Sequence, residues 1–423
     1  MRAFSGLVGR ERGRYTVIQL AMLFLSLAAL VILVRFKLEL GWALLAASVL
    51  LGLSCGLSPV DLGRVFVASW IDPTTLELVA SLLAILCLEN VLRKRGYLRR
   101  VLEALGGLFH DQRIAAAICP AFLGLLPSAG GAVLSAPMVD EVTFGRDVTP
   151  EQKSVVNYWY RHIWEYSFPL YPGLILAARV VEIPIGRLIG RLCPFTLLAM
   201  ILGIPVAFHA WPREDPRPPE PCDRRRALLK LAGGMAPVAA VIAAVIIGGG
   251  LPIYLPVLIV VGILLVLHHA SLRELLLLVR EAFSWRTVLL VVGIMSFRGS
   301  LEATGLVGSL PAFFTGLGLA PAVIVILISL TLGLLLGLGQ GFAGTGFPLL
   351  LGVRGHGAGS APGLVCLAYV AGFTGVMLSP LHFCLVLTVQ YFRADLGRVW
   401  LRVAPAMALI LLLAIPYCLW FLR

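Results

Sequence analysis

Between two apolar stretches the sequence reads "NYWYRHIWEYSFPLYPG", residues 157–173, and four residue types able to do chemistry fall within nine positions. Asn157, Arg161 and Glu165 are spaced i, i+4, i+8, so a helix would carry them as one polar stripe in which Arg161 and Glu165 can pair. His162 and Glu165, three apart, share a neighbouring face and can hold a proton or a small cation. Pro169, Pro172 and Gly173 then break the helix and free backbone carbonyls for coordination. A second break is expected in "AGFTGVMLSPLH" (371–382), which supplies Ser379 and His382. Asn157, Arg161, His162, Glu165, Ser379 and His382 are therefore the candidate ion-coupling residues. The H-x-x-E spacing of His162 and Glu165 is half a metal site, but with no second ligand cluster in view no metal is expected. The eight cysteines are scattered without a C-x-x-C pair and read as small buried hydrophobes. No catalytic residue and no cofactor beyond a coupling Na+ or H+ is assigned.

Glycine-rich interruptions give a second set of candidates. "ICPAFLGLLPSAGGAVLSAPMVDE" (118–141) is apolar enough to enter a membrane but is broken in its middle by Pro-Ser-Ala-Gly-Gly. Two arms of about a dozen residues meeting at such a tip describe a re-entrant hairpin, since segments this short do not span. Irregular backbone at depth is tolerated where it is buried in protein or lines a wet cavity. "LGLLLGLGQGFAGTGFPLL" (332–350) is the counterpart, with a tip expected near Gly339-Gln340-Gly341 and Gly344-Thr345-Gly346. The arm leaving each tip offers unpaired N–H groups and the positive end of a helix dipole, which suits an anion. The candidate substrate-binding residues are Ser128, Ala129, Gly130, Gly131, Ser135, Gly339, Gln340, Gly341 and Thr345.

What positions these residues is a membrane. Of 423 residues 59% are hydrophobic and 13% charged, where a soluble domain is about half apolar and a quarter charged. Several runs approach the roughly 20 apolar residues of a crossing, so the expected fold is an all-α polytopic membrane protein. The net charge of +12 would suggest nucleic acid in a soluble chain. Here the basic residues cluster in short loops, and the positive-inside rule accounts for them without a nucleic-acid partner. The first apolar run is long enough to span and no signal-peptide cleavage site follows it.

Sliding the sequence by 209 residues aligns "LGLL" at 123–126 with "LGLL" at 332–335 and, in the same register, Ile85 with Ile294 and Gly130 with Gly339. Two homologous halves are expected. One is an N-terminal repeat, 1–208, with a hairpin at 113–142 and a broken helix at 154–180. A polar linker, 209–228, leads to a C-terminal repeat, 229–423, with a hairpin at 321–352 and a broken helix at 363–391. About five crossings per half would insert the second half upside down, as in many secondary transporters. With the N-terminus outside, the inner loops hold 22 of the 34 Lys and Arg residues. The basic tail carrying Arg2, Arg10, Arg12 and Arg14 argues for the opposite orientation.

The strings "LLPSAGGAVLSAPMVDE", "NYWYRHIWEYSFPLYPG" and "AGFTGVMLSPLH" resemble domain-of-unknown-function family 401, a family of archaeal and bacterial integral membrane proteins, over nearly the whole chain. The resemblance implies membership of the ion-transporter superfamily, a two-repeat fold with re-entrant hairpins, a scaffold and a mobile transport domain, and an elevator-type homodimer in a prokaryotic plasma membrane. The Ser-Asn-Thr tip motif of that superfamily's divalent-anion branch is absent, so the resemblance brings no solute identity or sodium site with it. The expected function is cation-coupled secondary transport of a small anionic organic solute. A sodium/proton antiporter resting on Glu165, an intramembrane enzyme using His162 and Glu165, and a non-transporting receptor are the alternatives. No Walker A string is present, so ATP drive within the chain is unsupported.

Overall fold

The computed structural model describes residues 2–108, 111–125, 131–209, 211, 223–247, 251–306, 318–353 and 362–420. Those residues form an all-helical, multi-pass membrane fold. Six helical stretches are long and apolar enough to cross a bilayer: 18–35, 73–94, 185–208, 224–245, 362–392 and 396–420.

The helices run in two series with the same order. The first comprises α1 (Arg2–Arg35), α2 (Leu40–Ser54), α3 (Pro59–Ile71), α4 (Pro73–Lys94), α5 (Tyr97–Leu108), α6 (Gln112–Gly124), α7 (Gly131–Val142), α8 (Pro150–His162), α9 (Pro172–Val180) and α10 (Ile185–Phe208). The second comprises α11 (Arg224–Ile247), α12 (Tyr254–Leu267), α13 (Leu272–Ala282), α14 (Trp285–Ala303), α15 (Pro321–Leu336), α16 (Gly339–Val353), α17 (Pro362–Leu378), α18 (Phe383–Phe392) and α19 (Leu396–Trp420). The position matching α5 falls on 307–317, outside the described residues, as does most of the polar linker.

Packing pairs recur when the two series are exchanged. α6 packs on α8 as α15 packs on α17, and α10 on α8 as α19 on α17. Across the series, α7 packs on α18 as α16 packs on α9, and α2 on α14 as α12 on α4. Thus α6 and α15 each lie on the broken helix of their own series, while α7 and α16 each contact the broken helices of both series.

Burial sorts the helices by role. The most apolar 18 residues within 362–392 are 83% buried, whereas those of α1 are 22% buried and those of α10, α11 and α19 are 28–33% buried. α8 is the least apolar of the central helices, yet nearly all its residues from Gln152 to His162 are buried. An outer ring of apolar helices therefore encloses a polar centre, the reverse of a soluble protein. Outside the ring, amphipathic α13 is held to the end of α4 by Lys94 and Asn90, which both bind the Glu281 carboxylate. The Lys94 ammonium, then the Asn90 amide, hold that carboxyl below its usual range.

Starts and breaks follow local chemistry. α3, α4 and α8 each begin on a Ser, Asp or Thr whose side chain accepts a backbone N–H, with Pro at the first turn. α8 has a full capping box between Thr149 and Gln152. The first broken helix unwinds earlier than its prolines suggest: α8 ends at His162, and Ile163–Tyr166 is a 3-10 turn. Pro172 then starts α9. Glu165 therefore lies on the tighter turn, and the single α-helical stripe through Asn157, Arg161 and Glu165 is not formed. The second Gly-rich interruption also differs from expectation. Gly337 takes φ of +64° and ends α15, and helix resumes at Gly339. Gly341, Gly344, Thr345 and Gly346 are consequently helical. Gly344 is small because α14 presses Ile294 against it.

α15 and α17 cross at near backbone contact. A Cβ added to Gly333 would collide with the Gly372 carbonyl, and one added to Gly375 with the Leu330 carbonyl. Small residues at such a crossing allow the dispersion contacts that drive helix association in lipid. Gly333→Val should lower unfolding stability by about 1–3 kcal/mol, read as a lower melting temperature in detergent. Gly63→Val, whose Cβ would meet open space, should melt within error of the wild type.

Candidate functional site

The two breaks and the second tip meet at one place. A Cβ on Gly173, beside the first break, would lie 2.9 Å from the Gly339 carbonyl carbon. One on Gly337 would lie 3.0 Å from the His382 nitrogen. Between them opens a cavity of about 300 Å³. Arg161, His162, Glu165, Tyr171, Gln340, His382 and Cys384 line its polar side, and Leu82, Ile85 and Leu86 of α4 with Leu290 of α14 line its apolar side.

Charge around the cavity is set by which helix ends are covered. The carbonyl ends all accept side-chain donors. At the end of α6, Ala121 O accepts from Trp164 Nε1 (2.8 Å), Leu123 O from Arg161 Nη1 (3.3 Å) and Gly124 O from the Tyr171 hydroxyl. Leu334 O of α15 accepts from Ser379 Oγ at 2.6 Å. Met377 O of α17 accepts from Tyr158 (2.9 Å), and Glu165 O from Tyr369 (2.9 Å). Such bonds remove the negative ends that a break leaves exposed.

The amino ends are treated differently. Pro172 and Gly173 open α9, Gly339 and Gln340 open α16, and Phe383 and Cys384 open α18; all six line the cavity. The residues preceding α9 and α18, Tyr171 and His382, make no side-chain cap. Three positive helix ends and Arg161 therefore face one space, with Glu165 as the one carboxylate among the described lining residues. That field favours an anion, and the leucine wall suits an apolar body attached to it.

The histidines are fixed by backbone. His162 Nδ1 lies 2.6 Å from Tyr158 O and His382 Nδ1 lies 3.1 Å from Val376 O. Their Nε2 atoms face each other at 3.1 Å, and Glu165 Oε1 is 3.8 Å from His162 Nε2. The Tyr158 ring packs edge-on against both imidazoles.

Of the residues proposed from sequence, Arg161, His162, Glu165, His382, Gly339 and Gln340 are brought together here. Asn157 sits one turn away, where its amide donates to Thr388 Oγ1 at 2.9 Å and ties α8 to α18. Ser379 closes the end of α15. Thr345 is buried inside α16 and donates to Gly341 O at 2.8 Å, so neither it nor Gly341 lines the cavity. Ser135 is buried in α7, away from the lining residues. Gly131 begins α7, while Ser128, Ala129 and Gly130 lie outside the described residues. Sequence reading passed over Tyr158, Trp164, Tyr171 and Tyr369, whose role is to donate to carbonyls. It also passed over Cys384, whose signal is the His-x-Cys spacing with His382.

A polytopic all-helical protein with two broken helices around a polar mid-chain cavity is the class that this geometry defines. The chain belongs to the family described as "Protein of unknown function (DUF401)", whose model matches residues 16–419. A search of curated proteins returns no match. Among solved structures the fold is similar to that described as "Crystal structure of the Alcanivorax borkumensis YdaH transporter reveals an unusual topology". The two share a TM-score of 0.60 and 16% identity, over 86% of this chain and 89% of that one.

Removing either side of the Asn157–Thr388 bond should destabilise the protein, and a double-mutant cycle of Asn157→Ala with Thr388→Val should give a coupling of about 0.5–1.5 kcal/mol. Additive melting shifts in the two single variants and the double variant would show that the bond does not tie the broken helices.

Proposed function

We propose that this protein is a secondary active transporter that moves a small anionic organic solute across the membrane, coupled to Na+ or H+. The observation carrying the reading is the convergence on one cavity with an apolar wall of Arg161 and three helix amino ends, those of α9 and α18 without a side-chain cap. An anion in such a place is held by backbone dipoles and one cation. Likeness of fold to a protein described as a transporter supports the same class.

In this reading the two series of helices are inverted repeats and the segments 112–142 and 321–353 are re-entrant hairpins. Their exchanged packing is what an internal two-fold axis in the membrane plane produces. α4 and α14, which supply the leucine wall, belong to a fixed scaffold. The hairpins and broken helices move against it as an elevator, in a homodimer in a prokaryotic plasma membrane. Arg161, with the amino ends of α9, α16 and α18, binds the anion. Glu165, beside the histidine pair, takes the coupling cation. A sodium/proton antiporter is the second reading, favoured by Glu165 being the one carboxylate among the lining residues. It leaves the three amino ends without a purpose.

Proteoliposome uptake with a panel of monocarboxylates and dicarboxylates, under separate sodium and proton gradients, tests the proposal. Uptake of at least one carboxylate should rise under one gradient, and Glu165→Gln should abolish that stimulation while the anion still shifts the melting temperature. Arg161→Gln should weaken anion binding by about 10–100-fold, the loss of one charge-assisted hydrogen bond. Gradient-driven cation exchange with no uptake of any carboxylate would favour the antiporter. Unchanged coupling in Glu165→Gln would remove that residue from its role.

A further inference from the structure

The histidine pair has a proton problem. A backbone carbonyl accepts and never donates, so the Nδ1 facing Tyr158 O and the Nδ1 facing Val376 O must both carry hydrogen. In neutral imidazoles both Nε2 atoms then present lone pairs, and these stand 3.1 Å apart. Two acceptors at that distance repel unless something positive lies between them. Cys384 Sγ completes the arrangement: the ligand atoms of His162, His382 and Cys384 all lie within 4.8 Å of one another, and Cys384 is in no disulfide. Glu165 Oε1, 3.8 Å from His162 Nε2, stands at the open side.

We propose that His162, His382 and Cys384 bind a transition-metal ion of the Zn2+ class, with a water as the fourth ligand. At the Zn–N bond length of about 2.0–2.1 Å, two tetrahedral ligands sit roughly 3.4 Å apart, close to the observed separation. Each histidine already gives its other N–H to a backbone carbonyl, the arrangement that orients metal-bound imidazoles. Two nitrogens and a thiolate form a borderline-soft set that selects Zn2+, Co2+ or Cu+ over Na+, Mg2+ or Ca2+. His162 closes α8, whereas His382 and Cys384 open α18, so the ion bridges the broken helix of one series to that of the other. Nothing in this site requires transport, and it stands whether or not the chain carries a solute.

Co2+ binding to the full chain, purified in detergent and stripped of metal with a chelator, tests the site without substrate or gradient. One Co2+ per chain should bind, with the visible absorption of a tetrahedral ion and a thiolate-to-cobalt charge-transfer band, and one equivalent of Zn2+ should bleach both. Cys384→Ser should lose the charge-transfer band while keeping the visible absorption. His382→Gln should bind at least about 100-fold more weakly, since loss of even an outer-shell partner costs 10–100-fold. Melting in the absence of metal reports whether each variant is folded. Absence of a saturable tetrahedral spectrum, or equal affinity in the wild type and folded His382→Gln, would overturn the metal site and leave a proton shared between the two imidazoles.

Discussion

A helix broken inside a membrane leaves backbone carbonyls and amides that no lipid can satisfy, and each unsatisfied group there costs several kcal/mol. This chain breaks two helices side by side and meets them with the turn between α15 and α16. It seals the carbonyl half of the resulting debt with side chains: Trp164, Arg161 and Tyr171 on α6, Ser379 on α15, Tyr158 on α17 and Tyr369 on the turn at Glu165. The amide half is left facing a cavity. From that asymmetry follows the positive field around Glu165.

The same constraint explains why α8 can be both polar and buried. Its polar side chains do not meet lipid; they meet polar groups of α6, of α18 and of α8 itself. Asn157 reaches Thr388, His162 folds back on Tyr158 O, and Arg161 reaches Leu123 O. Glycine works alongside them. Gly333 and Gly375 bring α15 and α17 to backbone contact, and Gly173 lets the second tip come against the first break. A larger residue at any of these would hold the helix ends apart and open the cavity to the rest of the bilayer.

Sequence carried the architecture well because its signals were coarse and physical. Apolar run lengths set the spans, and the prolines and glycines of 157–173 and 371–382 placed the breaks to within a turn. Arg161, His162, Glu165 and His382 stood out because ionisable residues are rare in apolar surroundings. Details that depend on backbone hydrogen bonding were hidden. The 3-10 turn at Ile163–Tyr166 shifted Glu165 off the expected stripe, and the left-handed Gly337 moved the tip ahead of Gly339, so Thr345 and Gly341 fell inside a helix. Tyrosines that cap distant carbonyls carry no local pattern. Cys384 was discounted by composition, because a single cysteine acquires meaning only when a residue 222 positions away, His162, is folded beside it.

Everything rests on the amino ends of α9, α16 and α18 together forming one anion site. Anomalous scattering from crystals soaked with a bromine-substituted carboxylate locates such an anion directly. The account predicts a bromine peak in the cavity, with the carboxylate against Arg161, Gly173 and Gln340 and the halogen towards the leucines of α4. Bromine found only at the protein surface, with the three amino ends apart or the cavity filled by side chains, would contradict it.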